Sequence, residues 1–329
     1  MPARPDLFRV MPDDPGYLRA ADAEAQYWNQ PQPFGLESLE AVWGPSPVDR
    51  YQNARFTGDP EVPWYETIPR HGVFRRGLVL GTSAMRPEAR ILEVNPTLHA
   101  TFVDISAGAV GRRGEVLGRR FPGRVDTRVA DLNFVAFEPG AYDLVVSSAS
   151  LHHVTNLEHL AFQINAALAP DGYFFLQDYV GEPRFQFAEA KKRVFTCVHD
   201  RAMVPRGRPP GVLWRDASDL SPFCGVRSDE LLAVFRTHLA EVAVKTAETL
   251  TVALMRSLPP DGAVPAPPGV AQRARDVAQR WMCRLRGMLP PGKVPIPPEL
   301  LRDLMVVGDV ATDAAILLPG TAFAVYRKR

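Results

Sequence analysis

Short apolar runs recur through residues 77–178, and this recurrence constrains the fold of the chain more than any other feature. Roughly 20 to 30 residues of helical or polar character separate one run from the next, which is typical of repeated βα units around a parallel sheet. We therefore predict an α/β fold with a doubly wound, mostly parallel sheet. The strand candidates are 78–80, 100–103, 127–130, 144–146 and 173–176, with two later ones at 240–246 and 322–327.

Each of the first five strand candidates ends at a small or acidic residue. These residues are Gly81, Asp104, Asp131, Ser147 and Asp178. Ligands of open α/β sheets bind beyond the carboxyl ends of the strands. The sequence therefore predicts that these residues line one crevice, and that this crevice is the ligand site.

The segments around this core divide the chain into three predicted regions. Residues 1–70 mix acids, prolines and aromatic residues without sustained periodicity, which indicates an N-terminal cover of short helices and loops. Residues 247–315 are far longer than an ordinary connection, so we interpret them as a helical insert or lid. The core comprises 71–246 plus 316–329. Helices are predicted at 157–168, 186–199, 228–239, 270–288 and 298–314.

The composition argues against several classes of protein. The chain has 329 residues, of which 38 are basic and 37 acidic, and a net charge of +1 gives no general attraction to nucleic acid or anionic membranes. Every apolar run is shorter than the about 20 residues of a membrane span. The opening MPARPDLFRVMPDDPG lacks the apolar centre of a signal peptide. We therefore expect a cytoplasmic protein that binds neither nucleic acid nor a membrane.

Three widely spaced cysteines, Cys197, Cys224 and Cys283, are present without a C-x-x-C pair. Disulfide frameworks and structural zinc sites use paired or closely spaced cysteines. We therefore interpret all three as ordinary buried thiols.

Asp104 and Asp131 are candidates for binding a nucleotide-like cofactor. Asp104 follows Gly81 by close to the about 20 residues that separate a glycine turn from a ribose-binding acid in nucleotide folds. The alternative is that Asp104, together with Ser106, caps the following helix. Asp131 has the chemistry to accept a hydrogen bond from an adenine amino group, but alone it is ambiguous.

The order of these features resembles the class I S-adenosylmethionine-dependent methyltransferases. The segment SSASLHHVTNLEHLAFQINAALAPDGYFFLQDYVGEPRFQF (147–187) is similar to that of a subgroup with LHHV, P-x-G and YVGP-RFQW-like motifs, and SPFCGVRSDEL (221–231) resembles its SPFEAIRSDE-like motif. The resemblance implies a seven-stranded Rossmann-like methyltransferase fold and S-adenosylmethionine as the cofactor. It implies that the cofactor is bound by Gly81, Ser83, Asp104, Ile105, Asp131, Leu132 and Ser148.

The glycine loop departs from the G-x-G-x-G-like turn of these enzymes. The corresponding run is Gly81-Thr82-Ser83-Ala84-Met85, in which only the first glycine is present. The long side chain of Met85 either turns into the core or partly fills the cofactor pocket. Rearranged and lost cofactor binding therefore both remain open.

Residues that follow the fourth and fifth strands are candidates for contact with the methyl acceptor. His153 is predicted to act as a general base, because a neutral imidazole takes up a proton near neutral pH. The alternative is that the histidines only bond neighbouring backbone. A metal site from His152, His153 and His159 is not expected, because adjacent histidines on a turn converge poorly. The predicted substrate residues are His152, Asp178, Tyr179 and Arg184.

Two classes of function are consistent with the sequence. The first is a biosynthetic small-molecule methyltransferase that O-methylates a sugar or another specialised metabolite. In place of the N/D-P-P-Y-like turn of enzymes that methylate exocyclic nitrogens, the chain has Ser147-Ser148-Ala149-Ser150. The second is a methyltransferase-like protein with lost or altered cofactor binding, which serves as a scaffold subunit or catalyses another reaction. A homodimer and a complex with a partner protein both remain open.

Overall fold

A computed structural model of the chain describes residues 5–30, 47–82, 85–206, 210–214, 221–250, 257–258 and 298–329. The chain divides into two compact units. The first comprises Met1–Phe187, Asp216–Thr249 and Ala311–Arg329. The second comprises Ala188–Arg215 and Leu250–Val310.

A seven-stranded sheet forms the centre of the first unit. Its strands are β1 (Arg76–Leu80), β2 (His99–Asp104), β3 (Val125–Val129), β4 (Tyr142–Ser148), β5 (Leu168–Tyr179), β6 (Ala240–Ala247) and β7 (Thr321–Arg327). They lie in the order β3-β2-β1-β4-β5-β7-β6. Strands β1 to β5 are parallel, and β7 runs antiparallel to β5 and β6. The predicted doubly wound, mostly parallel sheet is thus confirmed.

The helices lie where the sequence periodicity places most of them. Predicted helices at 157–168, 186–199 and 298–314 are found within a few residues, and 228–239 divides into a 3₁₀ turn and a helix. The predicted helix at 270–288 lies outside the described residues. The α-helices of the described residues are α1 (Pro15–Asn29), α2 (Pro47–Thr57), α3 (Met85–Val94), α4 (Ala107–Arg120), α5 (Leu157–Ala167), α6 (Glu189–Met203), α7 (Leu231–His238) and α8 (Pro298–Asp313).

Both faces of the sheet are covered by other elements. Because successive residues of a strand point to opposite faces, neighbouring residues pack in different clusters. Leu78 and Leu80 of β1 pack in a cluster that also contains residues of α5 and α7. Val79, between them, packs in a second cluster with residues of α3. Met85 belongs to this second cluster and is fully buried, so its side chain is part of the core.

Local capping explains where α1 and α4 begin. The side chain of Asp14 accepts a hydrogen bond from the backbone N–H of Tyr17 and so caps α1. The Ser106 hydroxyl caps α4 by accepting from the N–H of Ala109. Asp104 is therefore not the cap of this helix, and its carboxylate is used elsewhere.

The second unit contains α6 and a short antiparallel strand pair, Leu213–Trp214 with Ser257–Leu258. Phe195 of α6 packs edge-on against Trp214 with ring centroids 5.0 Å apart. Cys197 of the same helix is exposed, so its interpretation as a buried thiol is wrong. Across the described ranges, the structure has no helix whose length and apolar character suit a membrane span.

Candidate functional site

A cavity opens at the carboxyl ends of β1 and β2, where the sequence predicts the ligand site. Its empty volume, including the open mouth, is about 570 Å³. Met85 is not among its lining residues. Six of the predicted site residues line the cavity, and they are Gly81, Asp104, Ile105, Asp131, Leu132 and His153.

Gly81 lies at the inner end of the cavity in a conformation that favours glycine. Its φ is 74°, and a Cβ atom built on it would lie 2.2 Å from Cβ of Ser150. The backbones of the loops after β1 and β4 therefore approach each other at this point. The following residues Ser83 and Ala84 lie outside the described residues.

We expect Gly81→Ala to lower the free energy of unfolding by at least about 2 kcal/mol, because it adds left-handed strain and a clash with Ser150. Gly123→Ala is the matched control, since its φ is 70° and nothing lies within 4 Å of an added Cβ. Urea denaturation of both variants measures the difference. An equal loss in the two variants would contradict the close approach of Ser150.

Asp104 holds the loop after β1 while it faces the cavity. Its Oδ2 accepts hydrogen bonds from the backbone N–H and the hydroxyl of Thr82, each at 2.8 Å. Its Oδ1 accepts from the N–H of Ser106 at 2.8 Å. A carboxylate offers about four lone-pair positions, so acceptor capacity remains for a ligand.

Asp131 connects the cavity to helix α1. The Tyr17 hydroxyl donates to Oδ2 of Asp131 at 2.5 Å and accepts from the side-chain amide of Asn133 at 2.8 Å. Burial and the neighbouring Asp131 carboxylate raise the pKa of Tyr17, which keeps the hydroxyl in its donor form. The N-terminal segment thus bonds directly to a predicted cofactor residue.

We expect Tyr17→Phe to lower the free energy of unfolding by about 1.5 to 3 kcal/mol, because a buried hydrogen bond to a carboxylate is lost. Tyr142→Phe is a suitable control, since its half-exposed ring lies on β4. Thermal or urea unfolding compares the two. A loss in Tyr17→Phe no larger than in Tyr142→Phe would show that the contact with Asp131 contributes nothing to stability.

Five predicted site residues do not line the cavity: Ser148, His152, Asp178, Tyr179 and Arg184. The Ser148 hydroxyl donates to the side-chain oxygen of Gln177 at 3.2 Å. The Tyr179 hydroxyl donates to the backbone oxygen of Glu182 at 3.0 Å, and the Arg184 guanidinium donates to that of Pro222. Ser147, predicted to line the crevice, is buried and donates to the backbone oxygen of Leu80.

Asp178 is fully buried, and its carboxylate accepts hydrogen bonds from the turn after β4. Its Oδ2 accepts from the backbone N–H groups of Ser150 and Leu151, at 3.2 and 2.7 Å. Its Oδ1 accepts from the N–H of Tyr179 at 2.7 Å and lies 2.5 Å from Nδ1 of His152. These contacts fix the turn that carries His152 and His153.

His153 is held by Glu24, a buried acid of α1. Nδ1 of His153 lies 2.8 Å from Oε1 of Glu24, and the Trp28 indole N–H donates to the same oxygen at 2.7 Å. Burial raises the pKa of Glu24, but the hydrogen bond and charge of His153 bring it below the ordinary value. The backbone N–H of Phe223 donates to Oε2 at 3.0 Å, so all Glu24 partners lie at the cavity wall.

Cys224 is buried beside both histidines. Burial raises the pKa of its thiol, but hydrogen bonds with His152 and His153 outweigh this and lower the pKa well below the ordinary value. Burial lowers the pKa of His153, but the bonds to Cys224 and Glu24 raise it well above the ordinary value. These directions favour a thiolate on Cys224 and a protonated His153. A protonated imidazole has no lone pair to accept a proton, so His153 must lose its proton before it can act as a base. The role of His153 as a general base stays a prediction.

Part of the chain is similar to a known protein family. Residues 71–203 match a family model described as a methyltransferase domain. This match supports an S-adenosylmethionine-dependent methyltransferase of class EC 2.1.1. No curated protein matches the sequence.

The chain resembles solved structures in fold. The geranyl diphosphate C-methyltransferase from Streptomyces coelicolor A3(2) is 13% identical, with 97% of this chain and 100% of that chain covered and a TM-score of 0.51. A geranyl diphosphate methyltransferase in complex with GPP and sinefungin is 14% identical, with coverages of 94% and 100% and a TM-score of 0.51. At these identities, the likeness shows the fold alone.

The residues of the cavity fit S-adenosylmethionine. Asp104 has an acceptor position left for a ribose hydroxyl, and Ile105 and Leu132 offer apolar walls for the adenine ring. Gly81 places bare backbone at the inner end, where Met85 does not intrude. The lining residues that sequence reasoning missed include Glu24, Trp28, Thr82, Asn133, Ser150 and Phe223.

Proposed function

We propose that the enzyme methylates a hydroxyl oxygen of a small molecule, such as a sugar or another specialised metabolite, with S-adenosylmethionine as the donor. The position of Met85 supports the cofactor binding that this proposal requires. Its side chain is buried in the core cluster that contains Val79 of β1, and the cavity beside Gly81, Asp104 and Asp131 is open. Met85 therefore leaves space for the cofactor.

The chain's own residues divide the cavity into a cofactor wall and an acceptor wall. Gly81, Asp104, Ile105 and Leu132 are proposed to bind the cofactor. Glu24, Trp28, His153 and Phe223 form the other wall. When bound, S-adenosylmethionine would supply a methyl group on a sulfonium sulfur. A lone pair of the acceptor oxygen would form the O–CH₃ bond, the electrons of the broken C–S bond would remain on sulfur, and the hydroxyl proton would pass to water or to the neutral form of His153.

Helix α1 is proposed to exclude water and to help position the acceptor. It reaches the cavity through Glu24 and Trp28, and it is fixed there by the Tyr17–Asp131 and Glu24–His153 contacts. Positioning of two reactants in a site without bulk water accounts for much of the rate in transfers of this kind. The proposal thus gives segment 1–70 the role of a cover. The interpretation of 247–315 as a lid stays a prediction.

The scaffold alternative makes the opposite prediction for ligand binding. A methyltransferase domain that has lost its cofactor would have a filled or closed cavity. The open cavity and the buried Met85 support cofactor binding instead.

Methyl transfer from labelled S-adenosylmethionine to a panel of hydroxyl-bearing metabolites tests the proposal. We expect label in a product that is heavier than its acceptor by one methylene unit. Binding of S-adenosylhomocysteine with turnover only on amine or carbon acceptors would refute O-methylation. Absence of binding to both cofactor forms in calorimetry would refute the enzyme assignment and favour the scaffold alternative.

A further inference from the structure

Three metal-binding side chains meet at the wall of the cavity. One ligand atom each from His152, His153 and Cys224 lies within 4.8 Å of the other two. A tetrahedral zinc ion, with Zn–S about 2.3 Å and Zn–N about 2.0 to 2.1 Å, separates its ligand atoms by roughly 3.3 to 3.6 Å. Small side-chain movements are thus enough to bring the three ligand atoms into a single coordination sphere.

The local backbone explains why the adjacent histidines converge, contrary to the expectation from sequence. Both lie on a single 3₁₀ turn, Leu151–His153, and their ring centroids are 4.3 Å apart. The loop that carries Cys224 is fastened to this turn, because the N–H of Val226 donates to the backbone oxygen of His152 at 3.1 Å. His159, the third histidine considered from the sequence, bonds the backbone oxygen of Val135 instead.

Each histidine of the cluster has its own buried carboxylate partner. Nδ1 of His152 lies 2.5 Å from Asp178, and Nδ1 of His153 lies 2.8 Å from Glu24. Both acids are almost completely buried. The Nε2 atoms are therefore the ring nitrogens left for a ligand. Histidines that bind metals almost always donate their other ring N–H to a carboxylate, a backbone carbonyl or water, which orients the ring and raises its basicity.

We propose that His152, His153 and Cys224 bind one divalent metal ion of the zinc type, with its fourth position toward the cavity. Imidazole and thiolate ligands together select zinc over magnesium or calcium, which prefer oxygen. His153 lines the cavity, and Phe223, the neighbour of Cys224, does so as well. The ion therefore lies at the acceptor wall.

The position of this ion suggests its role. Catalytic zinc sites have three protein ligands and keep one position for water or substrate, whereas structural sites are closed by four. An ion at this wall acts as a Lewis acid on an acceptor hydroxyl, which favours loss of its proton. This role rests on the proposed function, whereas metal binding itself does not.

Cobalt(II) titration of the metal-free full-length protein tests the site, because cobalt bound by a thiolate has a charge-transfer absorption band. We use Cys197→Ser/Cys283→Ser as the background, since it leaves Cys224 as the only cysteine of the chain. We expect one equivalent of cobalt with the thiolate band, displaced by zinc. Absence of the band in this variant would overturn the proposal and leave the cluster as a thiolate–imidazolium pair.

Two substitutions locate the ion. Cys224→Ser is expected to abolish the band and to weaken cobalt binding at least about 100-fold, and Glu24→Gln to weaken it about 10- to 100-fold through His153. Circular dichroism checks that both variants fold. Unchanged cobalt affinity in a folded Cys224→Ser variant would overturn the proposal. If that variant does not fold, the band in the Cys224-only background decides alone.

The same samples separate this site from the proposed function. Calorimetry with S-adenosylhomocysteine is carried out on the metal-free and the zinc-loaded protein. Cofactor binding without a cobalt–thiolate band would overturn the metal site and keep the methyltransferase. The band without cofactor binding would keep the metal site and overturn the proposed function.

Discussion

Replacing Asp104 by alanine is expected to weaken the binding of S-adenosylhomocysteine at least about tenfold. A hydrogen bond to a charged group contributes about 1.5 to 3 kcal/mol, and the variant loses the one that the remaining acceptor position of Asp104 offers to the ribose. Each 1.4 kcal/mol corresponds to about tenfold in affinity. The loss of the anchor for Thr82 adds to the effect, because the loop after β1 is no longer fixed. Isothermal titration calorimetry measures the dissociation constant.

Asp126→Ala is the matched control for this experiment. Asp126 lies on β3 and is exposed. Within the described residues, its one ion pair is with His99, at 3.6 Å. Asp126→Ala removes a charge of the same sign at a position away from the cavity. We therefore expect its dissociation constant for S-adenosylhomocysteine to be within about twofold of wild type. Asp104→Asn removes the charge of Asp104 but keeps the size of its side chain, so it separates these two contributions to binding. Wild-type affinity in a folded Asp104→Ala variant would rule out Asp104 as the ribose-binding residue.

The sequence was sufficient for central strands such as β1 and β4 because they are buried on both faces. Such strands read as continuous apolar runs, and the position where each run ends fixes the carboxyl edge of the sheet. Gly81, Asp104 and Asp131 lie at that edge and line the cavity, as predicted. Ser147 and Asp178 end neighbouring strands, but their side chains are buried. A strand end specifies the edge and not the direction of the side chain.

The ambiguity about Met85 needed tertiary structure to resolve. Its spacing allows it to point either way, and a methionine side chain adapts to either surrounding. The helix that begins at Met85 packs against the sheet, and this contact decides the direction. Asp104 and Ser106 posed a similar problem, because both residue types cap helices. The observed cap is Ser106.

The contacts from α1 had no signal in the sequence. Glu24 and Trp28 lie on a helix of weak amphipathic character, far in sequence from His153 and Phe223. An acid such as Glu24 is ordinarily exposed. Its burial depends on partners more than 100 positions away, which local patterns do not contain. Cys224 is the buried thiol that the sequence predicts, but the two histidines approach it only in the fold.

Replacing Asp178 by alanine is expected to lower the free energy of unfolding by at least about 4 kcal/mol. The carboxylate is completely buried and accepts hydrogen bonds from three backbone N–H groups, those of Ser150, Leu151 and Tyr179, besides its contact with His152. Each buried donor left without a partner costs about 1 to 3 kcal/mol. Because the turn after β4 then loses its support, affinity for S-adenosylhomocysteine falls as well. Urea denaturation and calorimetry measure the two effects.

Asp143→Ala tests whether burial is the reason for the size of this effect. Asp143 also accepts hydrogen bonds from backbone N–H groups, those of Arg75 and Arg76, at 2.8 and 3.0 Å, but at an exposed position. Water replaces its carboxylate there, so we expect a loss of about 1 kcal/mol or less. Asp178→Asn keeps one acceptor oxygen and is expected to lie between the two. Equal losses in Asp178→Ala and Asp143→Ala would show that the turn is held by other contacts, and the positioning of His152 and His153 would need another cause.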